Sequence, residues 1–392
     1  MKRQYAATKH PLISRSLIIL VLALTSLHAQ ETARWKTLSD EARTAAQGKA
    51  VLRRLLENPG VKAISVAVIQ DARVVYREVV GMVDPTSKQA VNERTVFRGA
   101  SLSKPVFAFL VMKLAEEGIL DLDRPLVQYL DRPLPEFADY RDLEADDRYR
   151  LLTARIILSH RSGFPNWRIM NPGRRLDFKF TPGEQFKYSG EGYRLLQMIL
   201  EQITGKAFND LAREKVFGPL AMNSASYLWE RRFDGNFAVD LGTGLRSLIL
   251  QTKTVPNSAG SLLSNAADYA RFLAAVIAGQ GLKRGSVETM LKRHVGVTST
   301  SLHAPQGTDP GIREKIDLGW GLGWGRFRCP AGEAVFHTGR EEGCDCYAVY
   351  FLERGIGLVV FSVTDESAPV VPVIARELIG DVYSPFAWLM YR

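Results

Sequence analysis

Strand-like apolar segments lie near both ends of the chain. Two of them flank a polar turn at Gln70 to Arg73, which predicts an antiparallel hairpin. Three more follow one another before the C-terminus. The five predicted strands are 64–69, 74–80, 334–339, 347–352 and 357–363. From Gly118 to about residue 280 the pattern is helical, with loops rich in Pro and Asp and no convincing strand pair.

Helical spacing of apolar residues appears before the first strand, after the second strand and at the end of the chain. The predicted helices are 39–56, 101–118 and 370–382. A five-stranded antiparallel sheet, with both terminal helices on one face and the helical middle on the other, would bury all these apolar faces. We therefore expect an α/β fold of the α+β kind, with an inserted, mostly helical lobe.

The first 29 residues have the three parts of a secretory signal: basic residues up to Arg15, an apolar run at 17–24, and a short end rich in small residues. The run is shorter than the roughly 20 residues of a membrane span, so a permanent anchor is the less favoured alternative. We expect cleavage near Ala29, with cleavage after Ser26 as the alternative. The product would be periplasmic or secreted, with no stable membrane span.

This leader also affects the charge and the domain division. The net charge is +9, and it falls to +5 without the leader, because 47 basic and 42 acidic residues remain. No block of five or six like charges is present, so a nucleic-acid partner is not expected.

The expected divisions are a signal at 1–29 and one domain at 30–392, with a sheet lobe at about 30–98 and 300–392 and a helical lobe at about 99–299.

The chain has three cysteines, Cys329, Cys344 and Cys346. Cys344 and Cys346 have the period-two spacing of a strand, so they should face the same side and are poorly placed to bridge each other. A disulfide between Cys329 and one of them is the alternative to three reduced thiols, which we favour. No His-rich motif accompanies them, so we expect neither a metal site nor a cofactor.

A hydroxyl and an amine stand three residues apart at the start of the second predicted helix. Ser101 and Lys104 would share one helix face, close enough to hydrogen-bond. The positive end of the helix and partial burial would favour a neutral Lys104 amine, which can accept a proton from Ser101. The pair predicts acyl transfer through a covalent serine ester. Taken alone, a Ser-x-x-Lys match is a weak signal.

Two further segments carry candidate chemistry. Tyr188 lies on a glycine-flanked turn ahead of a helix, and a lysine beside it would favour its charged form, which could relay protons to and from a serine. His337 lies with Thr338 and Gly339 on a predicted strand. Each segment alone is more often structural than functional.

Together, the three segments resemble the three motifs of serine beta-lactamases and penicillin-binding proteins in order and approximate spacing. The nearest branch is the class C-like group, which includes esterases and D-amino-acid peptidases. Further resemblance to that group lies in the segments 158–165, 260–268 and 318–324. His160 and Trp320 belong to segments that are mainly structural in this family, so we do not assign them a catalytic role. The expected fold agrees with that of the family.

The resemblance implies a role for each matching residue. Ser101 would be the acylated nucleophile, and Lys104 and Tyr188 the coupled proton-transfer pair. The backbone N–H groups of Ser101 and Arg340 would form the oxyanion hole, where a single donor is worth about 3 to 4 kcal/mol of barrier. The remaining matches imply a substrate-binding strand edge formed by His337, Thr338 and Gly339, and a substrate-binding position at Gly190, the last residue of the second motif.

Two motif positions depart from the family pattern. Gly190 replaces an asparagine that would bind an acylamido group, and His337 replaces a lysine that would hold a substrate carboxylate. Both changes affect penicillin recognition, because a neutral imidazole is the weaker carboxylate partner. After Gly339, two glutamates and two cysteines would line the site edge. They would either select a charged substrate or form a solvated turn, and we favour the turn.

We therefore expect a secreted serine hydrolase that acts on a small ester, amide or D-amino-acid peptide. The alternatives are a class C-type beta-lactamase, a DD-carboxypeptidase and, from another class, a catalytically silent binding or regulatory protein. Intact Ser101, Lys104 and Tyr188 argue against the silent protein. The expected partner is a small-molecule or peptide substrate.

Overall fold

The computed structural model describes residues 32–84, 88–239, 255–304, 316–365 and 368–391. The predicted export signal lies outside these residues. No helix in the described part of the chain is long and apolar enough to cross a membrane. The division into two lobes stays a prediction.

Nine described strands form one antiparallel sheet. Two further pairs of strands lie apart from it. The strands are β1 Arg34–Lys36, β2 Ala42–Thr44, β3 Val61–Gln70, β4 Arg73–Asp84, β5 Gln89–Ala90, β6 Phe97–Ala100, β7 Leu262–Ser264, β8 Val295–Gly296, β9 Gly319–Trp320, β10 Gly325–Cys329, β11 Gly332–Glu341, β12 Cys344–Phe351 and β13 Ile356–Thr364. The order in the large sheet is β5-β4-β3-β13-β12-β11-β10-β9-β8.

The five predicted strands are confirmed, and they lie side by side as β4, β3, β13, β12 and β11. The predicted number of strands was too small, because four more strands extend the two edges of the sheet. Three of these four have two residues each, and the fourth, β10, has five. Segments this short contain too few alternations to show a period, so only their pairing identifies them as strands.

The described α-helices are α1 Ala45–Leu55, α2 Ser103–Glu116, α3 Ala154–Leu158, α4 Gly190–Thr204, α5 Phe208–Ala212, α6 Ala266–Ile277, α7 Arg284–Leu291 and α8 Val370–Ile379. Helix α1 begins later than predicted, because Thr44 and Gln47 form a capping box there and β2 precedes it. Helix α8 ends earlier than predicted, at Ile379, because the next residue, Gly380, caps it with a left-handed φ of 72°.

The layer order agrees with the prediction. Alternate residues of β3 face opposite sides: Ile64 and Val66 pack in a core with α1 and α8, while Ala63 and Ala67 pack in a second core with helices α2, α4 and α6. Both faces of the central strands are therefore covered. This explains why β3 reads as a continuous apolar run.

A short strand pair that the sequence pattern did not reveal prepares the site. Strand β6 pairs with β7, so the region from Gly118 to residue 280 does contain a strand. At its end β6 comes close to β11, where a side chain on Gly339 would lie 2.3 Å from the Gly99 carbonyl oxygen. Gly339 therefore permits the close approach of β11 to the turn that carries Ser101.

Candidate active site

The turn at Ser101 is strained and firmly held. Ala100, just before it, has a left-handed φ of 43°, which is uncommon for a residue with a side chain. The buried Ser103 hydroxyl donates to the Ala100 carbonyl oxygen at 2.6 Å and accepts from the Leu262 N–H at 2.9 Å. These bonds fix the turn between β6 and α2, so that the partly exposed Ser101 faces a cleft.

Lys104 lies beneath Ser101 and is fully buried in the first turn of α2. Its Nζ lies 3.0 Å from Ser101 Oγ and 2.7 Å from the Ala259 carbonyl oxygen. Burial lowers the pKa of Lys104 to about 7, although the charge of Glu341 opposes the shift. A neutral amine can donate to Ala259 and still accept the Ser101 proton on its lone pair.

The Tyr188 ring packs against the lysine, with its centroid 4.7 Å from Lys104 Nζ. The expectation of a charged Tyr188 is wrong, because burial raises the pKa of the phenol well above its usual value and only the Ser101 hydroxyl opposes this shift. Within the described part of the chain, the Tyr188 hydroxyl has no partner in hydrogen-bonding geometry. Tyr188 is therefore a buried neutral phenol beside Ser101.

Aromatic residues hold the Tyr188 ring in place. The centroid of His160 lies 4.3 Å away and that of Trp320 5.9 Å away. His160 Nδ1 accepts from the Ser189 N–H at 3.0 Å, which anchors the residue after Tyr188. His160 and Trp320 thus serve as packing partners.

Among the residues that the structure describes, no three His, Cys, Asp or Glu side chains are grouped to hold a metal ion.

The edge of β11 is open beside the nucleophile. Strand β10 pairs with β11 only up to Phe336, so the following residues have no strand partner on that side among the described elements. Thr338 and Arg340 line the cleft with Ser101. The backbone N–H groups of Ser101 and Arg340 stay predicted as the oxyanion hole.

Gly190, His337 and Gly339 do not line this cleft, so direct substrate contact, expected for them, is not supported. Gly339 packs against Gly99. Gly190 is buried, and a side chain there would lie 2.7 Å from Trp167 Cη2. The indole of Trp167 therefore fills the space where the third residue of the motif would project.

His337 is fully buried behind Tyr188, 6.0 Å away between ring centroids. Its Nδ1 lies 2.7 Å from the Thr338 carbonyl oxygen, so it is the nitrogen that carries the proton. Burial, with a smaller effect of the Lys104 charge, lowers the pKa of His337 to about 3. The imidazole is therefore neutral at physiological pH.

The segment 389–390 forms part of the cleft wall, which sequence reasoning missed, and Tyr391 follows it. The Tyr391 hydroxyl donates to Asp345 Oδ1 at 2.8 Å and lies 3.1 Å from Thr338 Oγ1. Arg340 Nε lies 3.7 Å from Asp345 Oδ1, and its guanidinium lies 4.7 Å from the Tyr391 ring centroid. Burial raises the pKa of Asp345 to about 6. No sequence motif marks Tyr391.

The cleft has a volume of about 540 Å³. Its wall carries several polar and charged groups, and the acidic turn after Gly339 contributes to it as expected. The residues that line it include Ser101, Asn166, Trp167, Tyr188, His303, Thr338, Arg340, Glu341, Glu342, Cys344 and Asp345. Of these, Asn166 and Trp167 directly follow the segment 158–165. The position of these two residues in the cleft could therefore have been predicted by following the matched segment two residues further.

All three cysteines are free. The alternative of a disulfide from Cys329 is wrong. Cys329 and Cys344 pair with opposite ends of the ten-residue β11, about 30 Å apart at the rise of a strand. A disulfide needs Cα atoms within about 7 Å. Cys344 and Cys346 face the same side as predicted, and their sulfur atoms are only 3.6 Å apart.

Comparison with known proteins identifies relatives of this arrangement. The chain is 24% identical to Esterase EstB of Burkholderia gladioli over 83% of this chain and 91% of the esterase. It is 31% identical to Penicillin-binding protein 4* of Bacillus subtilis over 38% of this chain, spanning only 34% of that protein. The solved structure of EstCE1, a hydrolase with promiscuous acyltransferase activity, shares the fold, with a TM-score of 0.69 and 18% identity over 86% of this chain and 98% of that one.

The family assignment rests on a longer match than that of any single motif. The family described as Beta-lactamase matches residues 49–379, from within α1 to the end of α8. This range contains the three motifs and both layers of helices around the sheet. The chain belongs to the beta-lactamase family.

Proposed function

We propose that this serine hydrolase cleaves a small ester, amide or D-amino-acid peptide through an acyl-enzyme on Ser101. The observation that carries the proposal is the 3.0 Å contact between Ser101 Oγ and a fully buried Lys104 amine. With a pKa of about 7, this amine is partly neutral at physiological pH and can act as a base. The esterase relative supports the reaction class.

Acylation begins when Ser101 Oγ attacks the substrate carbonyl and its proton passes to Lys104 Nζ. The bond to Ala259 keeps the amine in place as it becomes charged. The N–H groups of Ser101 and Arg340 stabilise the oxyanion. When the intermediate collapses, the leaving alcohol or amine takes a proton, which the neutral Tyr188 hydroxyl donates while it receives one from Lys104.

Deacylation uses the same groups in the opposite direction. A water molecule takes the place of the leaving group and gives its proton to Lys104 through Tyr188. The tetrahedral intermediate then collapses, and Ser101 recovers its proton from Lys104. Because Tyr188 is never required as a free phenolate, its raised pKa is compatible with this role.

The substrate side favours a reactant without a carboxylate at the β11 edge. The Thr338 hydroxyl is engaged by Tyr391, and the Asp345 carboxyl lies beside it. His337 is neutral and buried, so it offers no positive charge. Arg340 is the nearby cation, but Asp345 and two carbonyl oxygens, those of Leu389 and Met390, already occupy it.

The acyl side of the site supports the same preference. Trp167 fills the space over Gly190, and the Gly190 N–H donates to the Asn166 carbonyl oxygen and side chain at 3.0 Å. The second motif therefore offers no side-chain amide to bind an acylamido group. The flat indole beside Ser101 instead suits an apolar acyl chain.

The test compares a chromogenic cephalosporin with a short-chain nitrophenyl ester on the same preparation. We expect measurable, Ser101-dependent turnover of the ester and little or none of the cephalosporin. Efficient cephalosporin turnover without ester turnover would contradict the proposed substrate preference.

A fluorophosphonate label separates the enzyme from a silent binding protein. Wild type should form a covalent adduct that Ser101→Ala cannot form. No adduct in either protein would favour the binding protein.

We also propose export to the periplasm or medium. Detection of the full-length, uncleaved chain in the cytoplasm of the expressing bacterium would contradict this location.

A further inference from the structure

Two buried thiols form a pair at the start of β12. Cys344 Sγ and Cys346 Sγ lie 3.6 Å apart, and both donate to one acceptor, the Arg98 carbonyl oxygen, at 3.1 Å each. Cys344 also lines the catalytic cleft, whereas Cys346 is fully buried behind it. One thiol is therefore reachable from the cleft and the second is within reach of the first.

The pair contacts both sides of the site. Arg98 belongs to β6, which leads directly into the Ser101 turn. On the other side, Asp345 lies between the two cysteines and pairs with Arg340 in the sheet. A change in the thiols therefore acts on the nucleophile turn and on the proposed oxyanion strand together.

We propose that Cys344 and Cys346 are a redox modification site, which closes to a disulfide when an external disulfide enters the cleft and thereby lowers turnover at Ser101. Cys344 lines the cleft whereas Cys346 is fully buried behind it, so Cys344 is the group that reacts first with the external reagent.

The chemistry is two successive exchanges. The Cys344 thiolate attacks one sulfur of an external disulfide R–S–S–R, forming a mixed disulfide and releasing one thiolate. Cys346 then loses its proton and attacks the Cys344 sulfur, which releases the second thiolate. Two cysteine thiols are oxidised, one external disulfide is reduced to two thiols, and two protons leave the cysteines.

We expect closure to contract the strand. Residues i and i+2 of an extended strand have Cα atoms roughly 6.4 to 6.8 Å apart, whereas disulfides most often span about 5.5 to 6 Å. The bond therefore draws β12 together at Asp345 and removes both S–H donors from Arg98. A displacement of about 1 Å at a catalytic group can cost about 100-fold in rate.

The experiment uses the Cys329→Ser protein, in which Cys344 and Cys346 are the remaining thiols. The protein is treated with glutathione disulfide, and the reagent is then removed. We expect the peptide that contains Cys344 and Cys346 to lose two hydrogens by mass. We expect hydrolysis of the nitrophenyl ester to fall about 10- to 100-fold, and reduced dithiothreitol to restore both properties.

Two variants in the same Cys329→Ser background assign the steps, each compared with its own reduced sample. Cys346→Ser should retain a glutathione adduct on Cys344, because the second thiol is missing. Cys344→Ser should acquire neither an adduct nor a sensitivity to the reagent. Adduct formation on Cys346 in that variant would contradict the assigned order of attack.

The redox effect on turnover rests on the proposed function, so a second readout is independent of it. Hydrogen exchange of backbone amides in 97–101 should become at least several-fold faster on oxidation and return on reduction. Two results would overturn the proposal: both thiols remaining reduced while a small reference dithiol is fully oxidised, or closure that leaves exchange in 97–101 unchanged. Absence of ester hydrolysis in the reduced protein would instead count against the proposed function.

Discussion

The two walls of the cleft differ in how fully their polar groups are bonded. On the nucleophile side, the pKa of Lys104 is lowered to about 7, so its amine is partly neutral at neutral pH, and the Tyr188 hydroxyl has no partner among the described residues. On the strand side, Thr338 and Asp345 are bonded to Tyr391, a residue of the same chain. The groups assigned to proton transfer can still form further hydrogen bonds, whereas the hydroxyl and carboxyl groups of the substrate strand are already bonded within the chain.

This difference separates chemistry from recognition. Burying an amine and a hydroxyl that has no partner among the described residues costs stability, and the proposed proton transfer would account for that cost. A strand whose hydroxyl and carboxyl are bonded internally has little left to offer a charged substrate. The comparison therefore predicts large effects of substitutions on the nucleophile side and small ones on the strand side.

The largest effect is expected for Lys104→Met, which keeps the length of the side chain and removes the base. The kcat/KM for the ester should fall by about 10³- to 10⁴-fold. The same substitution at Lys113, in the last turn of the same helix, is the matched control and should leave kcat/KM within a small factor. Comparable losses in both variants would remove Lys104 from the mechanism.

The same variant also tests the buried amine through stability. The folded protein binds the Lys104 proton less tightly than the unfolded chain does, since its pKa is about 7 against 10.5. The resulting cost is full below pH 7 and disappears as pH rises towards 10.5. Lys104→Met should therefore be most stabilising at acid pH, measured by urea unfolding. A stability difference independent of pH would contradict the lowered pKa.

The next effect is that of Tyr188→Phe, for which we expect kcat to fall about 100-fold. Because the removed hydroxyl is buried and has no hydrogen-bond partner in the described part of the chain, the melting temperature should rise. Tyr193→Phe is the matched control: its hydroxyl donates to the Leu158 carbonyl oxygen at 3.1 Å, so that variant should lose about 1 to 2 kcal/mol of stability and little activity. Destabilisation by Tyr188→Phe would indicate a structural role.

A smaller effect concerns pH. The kcat/KM should fall about tenfold for each pH unit below 7, because only the neutral Lys104 accepts a proton. Glu341 raises the pKa of Lys104, so Glu341→Gln should move the midpoint to lower pH. Glu342→Gln changes the same charge one residue further along and should leave the midpoint in place. A flat profile between pH 5 and 8 would contradict a titrating base.

The smallest change in rate is expected on the strand side. Tyr391→Phe removes the hydroxyl that donates to Asp345 and contacts Thr338, so the free energy of unfolding should fall by about 1 to 3 kcal/mol. Turnover of a neutral ester should change little, while an ester bearing a carboxylate should gain a few-fold. A large loss with the neutral ester would mean that the strand side is catalytic as well.

The sequence was sufficient for those parts of the structure that depend on local periodicity or on the three motifs. The five central strands are long enough to show their apolar pattern. The distance between Ser101 and Lys104 follows from helix spacing, and the neutral amine follows from burial. Each of these features depends either on residues that are close together in the chain or on the burial of a single side chain.

The remainder depends on contacts between distant segments. Tyr391 meets Asp345 and Thr338 across some 50 residues, and nothing in the sequence between them indicates this. Trp167 fills the space over Gly190 because two loops meet there. The charge state of Tyr188 was wrong for a related reason: a neighbouring lysine was expected to dominate its pKa, whereas burial does.

The most direct test of the central claim is the mass of the protein during ester turnover. After brief mixing with 4-nitrophenyl acetate at acid pH, we predict one added acetyl group, located on Ser101, with Ser103 unmodified and no adduct in Ser101→Ala. Steady ester hydrolysis that persists in Ser101→Ala, or an acetyl group found on a different residue, would contradict the account.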